Sequence, residues 1–215
     1  MLKLLIPAVL LLGAIYWWRR WAAAQRENVI EQYPYSQWLD ARLAARRPEL
    51  SAAQRAEVFL GLQDYFLLCR RARRQMVAMP SQVVDDAWHE FILFTRQYDK
   101  FCRAAFGRFL HHTPASAMSS PTQASDGIRR AWLLACAHEG INPVKPERLP
   151  RLFAMDAALM IAGGFVYQLD CQAAQAAGQS GDAFCASHIG CTSGCSGDSG
   201  SSSDGDGGSG CGGGD

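Results

Sequence analysis

The sequence predicts an all-α protein: a small helical bundle behind a single N-terminal transmembrane helix, followed by a disordered C-terminal tail rich in glycine, serine and cysteine. Three observations carry this reading. Residues 4–18 are apolar without interruption. Apolar side chains recur at three- and four-residue spacing through the middle of the chain. From Cys171 onward, 45 residues hold 13 glycines, nine serines, five aspartates and no lysine or arginine. The expected divisions are an anchor over 1–26, a helical domain over 27–170 and a tail over 171–215.

The apolar N-terminal run has Lys3 before it, and Trp17, Trp18 and Trp21 crowd its far end beside Arg19 and Arg20. This is the pattern of a membrane segment with an aromatic belt. The run is slightly short for a spanning helix, which needs roughly 17 residues or more, but counting from Leu2 to Trp21 with Lys3 snorkelling brings it into range. A secretory signal cleaved near residues 22–24 is the competing reading, and it would place the body outside the cytoplasm. The anchor is preferred because Arg19, Arg20 and Arg26 follow the apolar core, where a signal peptide wants a neutral exit. The positive-inside tendency then puts the body in the cytoplasm, where the eight cysteines are thiols or metal ligands; in an oxidising space they would be disulfide candidates.

Net charge is +1 for the whole chain. Residues 1–170, however, carry 21 basic against 15 acidic side chains, so a mildly basic body precedes an acidic tail. That surplus is too modest, and unaccompanied by any base-reading motif, to indicate nucleic-acid binding. Nor does the chain contain a nucleophile elbow, phosphate loop, dinucleotide fingerprint or paired-carboxylate signature, so it specifies no substrate or reaction. From about Gly190 the composition is too poor in apolar residues to offset the entropy of ordering, which predicts disorder.

Within the body, Ser51 and Gln54 predict a capping box at the start of a helix. Val58, Leu62, Tyr65, Cys69, Ala72 and Met76 continue its apolar stripe until Pro80. Ser81 opens a second helix, whose stripe runs through Val84, Trp88, Phe91, Thr95, Tyr98, Cys102 and Phe106 to Gly107. The two are expected to pack antiparallel. An upstream helix around residues 35–46 and a downstream one over 127–138, capped by Asp126 and Gly140, complete the bundle. After the proline-rich loop 142–150 a further helix covers about 151–161, Gly163 and Gly164 end it, and residues 165–169 form a short strand or extended strip.

Three of the five histidines fall between Val84 and Pro114, and this stretch holds most of the chemistry. At about 100° per residue, His89 lies roughly 140° from Val84, on the flank of the apolar stripe beside Asp85 and Arg96. Asp85 and His89 are one turn apart, the spacing at which a carboxylate orients an imidazole or joins it on a metal. His111 and His112 arrive after the helix ends and cannot reach His89 along it, since roughly 22 helical residues span about 33 Å. If the chain turns back, one of them approaches the first helix or a symmetric partner. The resulting Asp85, His89 and His111 or His112 set suits zinc or another divalent ion. The alternative is a paired Asp85 with histidines that cap helices or sit in solvent. Cys102, at the centre of the stripe, reads as a packed thiol. Trp88 reads as a core anchor.

Two further clusters stand out. Arg70, Arg71, Arg73 and Arg74 fall opposite the apolar stripe of their helix, as a solvated face or as a contact for anionic lipid headgroups beside the anchor. In the tail, Cys185, His188, Cys191 and Cys195 supply four soft ligands within eleven residues. They either wrap a zinc or are incidental cysteines in a flexible segment.

The run Val84-Asp85-Asp86-Ala87-Trp88-His89, followed by Thr95, Tyr98, Cys102, Gly107 and His111-His112 with Pro114, resembles the glycine-rich domain-containing protein family. The likeness centres on residues 51–115. It implies a helical domain, brings no established activity or cofactor, and singles out Asp85, Trp88, His89, Cys102 and His112. The expected function is a membrane-anchored cytoplasmic binding or scaffold module with a divalent-metal site at His89 and, for a partner, the membrane or another protein. The alternatives are a metal-dependent hydrolase using that site, and a tail that binds zinc or a partner with the body as spacer.

Overall fold

The structure, a computed structural model, describes residues 2–112 and 121–169 together with 184, 185 and 189; for 2–8, 121–124, 184 and 185 it describes the backbone alone. Among the described residues, seven helices account for nearly all regular structure: α1 (Leu2–Glu31), α2 (Tyr35–Arg46), α3 (Ala52–Arg71), α4 (Gln82–Leu93), α5 (Thr95–Phe106), α6 (Pro121–Glu139) and α7 (Arg151–Ala158). Two-residue strands β1 (Tyr167–Gln168) and β2 (Phe184–Cys185) pair in parallel, Tyr167 opposite Phe184. The all-α class expected from the sequence is the one found.

The local signals explain most boundaries. Ser51 Oγ accepts from Gln54 N, and Gln54 Oε1 accepts from Ser51 N at 2.9 Å, closing the capping box of α3. Gly107 ends α5 at φ 73°, a left-handed conformation that a side chain would disfavour; a Cβ there would also lie 2.7 Å from Arg26 Nη1. Arg26 in turn donates to the Phe106 carbonyl at 3.2 Å, tying α1 to the end of α5. Where α3 crosses α4 and α7, a Cβ on Gly61 would sit 2.8 Å from Met155 Cε and 3.0 Å from Val84 Cγ2, so a side chain there would push the Met155 methyl aside and crowd Val84.

The core is aromatic. Phe66, Phe91, Phe101 and Tyr98 are almost fully buried, with Phe66 and Phe101 ring centroids 5.1 Å apart and Phe91 edge-on to Tyr98 at 5.2 Å, the tilted geometries that ring quadrupoles favour. Trp132, Phe153 and Tyr167 extend it under α6 and α7. Ion pairs bolt α2 to α4: Arg46 and Arg47 reach Asp86 at 2.8 and 2.6 Å, and Arg42 reaches Glu90 at 2.5 Å.

Five expectations need correction. No helix is long and apolar enough, among the described residues, to cross a membrane. From Val9, the first described side chain, the apolar run reaches only to Trp18 before Arg19 and Arg20 interrupt it. The single helix expected from Ser81 to Gly107 is two helices, because the backbone breaks at Phe94 (φ −80°, ψ 58°). α3 stops at Arg71 rather than Met76, with Arg73 left-handed at φ 59°. α6 starts at Pro121, six residues before Gly127, with proline in the first-turn position its fixed φ suits. α7 likewise ends at Ala158 rather than near Ile161, turned by Met160 at φ 54°.

Candidate metal centre

The break at Phe94 makes the site. It folds α5 back on α4, and Tyr98 then pins the irregular segment that follows α5. Its hydroxyl donates to the Leu110 carbonyl at 2.6 Å while accepting from Trp88 Nε1 at 3.0 Å. Trp88 and Tyr98 are both buried, and Leu110 is nearly so. Two residues beyond Leu110, His112 is carried onto the flank of α4, its ring edge-on to Trp88 with centroids 4.5 Å apart.

There His112 Nε2 lies 2.8 Å from Asp85 Oδ1, and His89 Nδ1 lies 3.3 Å from Asp85 Oδ2. The two imidazole centroids are 4.3 Å apart. One donor atom from each of Asp85, His89 and His112 falls within 4.8 Å of the other two. His89 Nδ1 is shielded from solvent yet makes no hydrogen bond: it is close to Asp85 without the alignment one requires. A tetrahedral zinc with bonds of about 2.0–2.1 Å sets its ligand atoms roughly 3.3 Å apart, so the three donors need shift by little more than a side-chain rotation. The His112 and Asp85 side chains are 11% and 20% exposed, whereas that of His89 is 40% exposed. The cluster thus has a dry wall formed by Trp88 and a wet side at His89.

Of the candidates read from the sequence, Asp85, His89 and His112 come together. His111 does not: it is exposed and leans on Phe109, with centroids 4.9 Å apart. Arg96 lies beyond the break, on α5, and leaves Asp85 to the histidines. Cys102 is a fully buried thiol, its ionisation pushed up chiefly by burial. The four arginines part company. Arg70 and Arg73 line a cleft with Arg19 and Arg20 of α1, Arg71 turns to His138 Nδ1 at 2.9 Å, and Arg74 is exposed. Nothing in the sequence places Arg19 and Arg20 beside Arg70, because that proximity is purely tertiary. The tail set of His188, Cys191 and Cys195 lies outside the described residues, as does Cys185 apart from its backbone in β2.

Fold and site together define a helical domain with a two-histidine, one-carboxylate cluster on its surface. Residues 25–189 match the UCP032817-like family, which is uncharacterised, and the chain belongs to it. This overturns the resemblance to the glycine-rich domain-containing family. That likeness rested on the stretch from Val84 to Pro114, whose residues serve a helix, a core anchor and a polar cluster, and on a glycine-rich composition, which is weak ground for kinship. Neither the curated proteins nor the solved structures include a match to this chain.

Proposed function

We propose that this protein is a helical module that binds one divalent transition metal, zinc or a neighbouring first-row ion, through Asp85, His89 and His112, and that the N-terminal part of α1 holds it at a membrane. The observation that carries the metal reading is the convergence of three ligand-type atoms within 4.8 Å, drawn from both sides of the α4–α5 turn, with one of them, His89 Nδ1, buried and without a hydrogen bond. Neutral imidazoles and a carboxylate suit zinc, or iron in a facial two-histidine, one-carboxylate arrangement.

The membrane reading is supported by α1 itself. Residues 9–20 are exposed on every face, and Leu10, Leu11 and Leu12 are each more than 60% exposed. A helix apolar all round belongs in an apolar medium, and Trp17, Trp18 and Trp21 next to Arg19 and Arg20 fit a bilayer interface. The positive-inside tendency then favours a body in the cytoplasm.

A second reading, a metal-dependent hydrolase, gains support from the exposed side of His89, where a water would complete the coordination and be activated. The test is the metal content of the full-length, untagged chain purified in a neutral detergent. About one equivalent of metal, lost in His89→Ala, supports the reading. An empty protein that also fails to take up added zinc overturns it.

A further inference from the structure

Where α1 passes the end of α3, an open cleft of about 670 Å³ is lined by Tyr16, Arg19, Arg20, Ala23, Arg70 and Arg73. Four guanidinium groups share it. Among the described residues, Arg19, Arg70 and Arg73 make no side-chain hydrogen bond or ion pair, and Arg20 donates only to the Tyr16 hydroxyl, at 3.1 Å. Arg70 Nε is cut off from solvent and unpartnered. Burial, and then repulsion from Arg26 and Arg73, hold the Arg70 pKa below the usual guanidinium value, with Glu27 opposing in part. Like charges have been gathered with only Glu27 to offset them in part, and one of them, Arg70, is half-buried while Arg19, Arg20 and Arg73 are exposed, an arrangement that favours an anion between them. The C-terminus of α3 explains little of this, since a helix end presents only about half a negative charge.

We propose that this cleft binds the phosphate of an anionic phospholipid headgroup. Guanidinium forks are suited to phosphate oxygens. The source of that phosphate follows from position. Trp17, Trp18 and Trp21, each more than 60% exposed, interleave with the lining residues on α1, and the all-apolar stretch of the same helix leads directly into the cleft. Once that stretch enters a bilayer, the arginines stand at headgroup level. The inference therefore rests on the membrane half of the function proposed above, and is independent of the metal site.

Full-length protein in neutral detergent, titrated calorimetrically with dihexanoyl phosphatidic acid, dihexanoyl phosphatidylcholine and inorganic phosphate, tests it. The phosphatidic acid is expected to bind most tightly, and Arg70→Gln combined with Arg73→Gln to weaken it about tenfold or more, while Arg74→Gln changes nothing. If the double variant does not fold, Arg19→Gln with Arg20→Gln, on an exposed part of α1, is expected to give the same loss. Binding of phosphatidylcholine or inorganic phosphate as tight as that of phosphatidic acid, or binding indifferent to these substitutions, overturns the proposal. Flotation with pure phosphatidylcholine vesicles separates the two ideas: if the chain floats but shows no preference for phosphatidic acid, the cleft proposal alone falls; if it does not float, the membrane reading falls with it.

Discussion

His112 Nε2 stands 2.8 Å from Asp85 Oδ1, although 27 residues separate them in the chain. The contact exists because α5 doubles back on α4 and Tyr98 fastens the returning segment at Leu110. Asp85 thus faces two imidazoles, and each lies within reach of a shared ion.

That geometry discriminates between adjacent histidines. His112→Ala and Asp85→Asn are each expected to lower zinc affinity by a factor of at least about 100, as loss of one of three ligands should. His111→Ala is expected to leave it unchanged. Competition titration against a chelating dye reads both. Equal effects at the two histidines would show that the cluster is not the binding site.

Tyr98 carries the site at one remove. Tyr98→Phe removes the acceptor of Trp88 Nε1 and the donor to the Leu110 carbonyl, leaving two buried groups unsatisfied, at an expected cost of about 1–3 kcal/mol. Denaturant unfolding measures this. Metal affinity should fall as well, because His112 follows directly from the segment that Tyr98 pins; an unaltered affinity would mean that the His112 position is held by other contacts.

Asp156 organises the N-terminus of α4. Its carboxylate accepts from Ser81 Oγ at 2.6 Å, Gln82 N at 2.7 Å and Phe165 N at 2.8 Å, and it is only 2% exposed. An anion at a helix N-terminus satisfies orphan amides and meets the positive end of the dipole. Asp156→Ala should therefore destabilise the protein by about 3 kcal/mol, and Asp156→Asn by about 1–2 kcal/mol. A shift in the unfolding midpoint smaller than that of a typical surface substitution would contradict the role.

Buried thiols predict the alkaline limit. Burial pushes Cys69 up to about 12 and Cys136 up to about 11, against an ordinary value of about 8.5. The folded state holds these thiols protonated, so unfolding releases protons as the pH rises past the unfolded value. The stability they contribute is full below about pH 8.5 and is lost as the pH climbs towards 11–12. Chemical denaturation across that range checks the slope, and a disulfide-exchange reagent at about pH 8 should find both thiols unreactive in the native protein.

Local chemistry was legible in the sequence. Ser51 with Gln54, Ser81, Gly107 and Gly140 mark helix ends because capping and left-handed turns depend on the residue at the spot, and α2 falls over the span its periodicity suggests. The pairing of Asp85 with His89 was readable for the same reason, being one turn of one helix. The break at Phe94 was not: neither glycine nor proline marks it, and the apolar stripe from Phe91 to Tyr98 runs across it, leaving exposed Thr95 as its sole trace. Helical phase cannot register a chain reversal, so the choice of His112 over His111 stayed open.

By itself, then, the sequence determined the all-α class, the helix caps, the apolar N-terminal segment and the residue types able to bind a metal, all properties set by neighbours a few positions apart. Only the tertiary structure decided that His112 joins Asp85 and His89, and that Arg70 and Arg73 meet Arg19 and Arg20 while Arg71 turns away. Those contacts depend on where helices cross and where the chain reverses, and the packing of buried rings such as Phe66, Phe91 and Phe101 settles both.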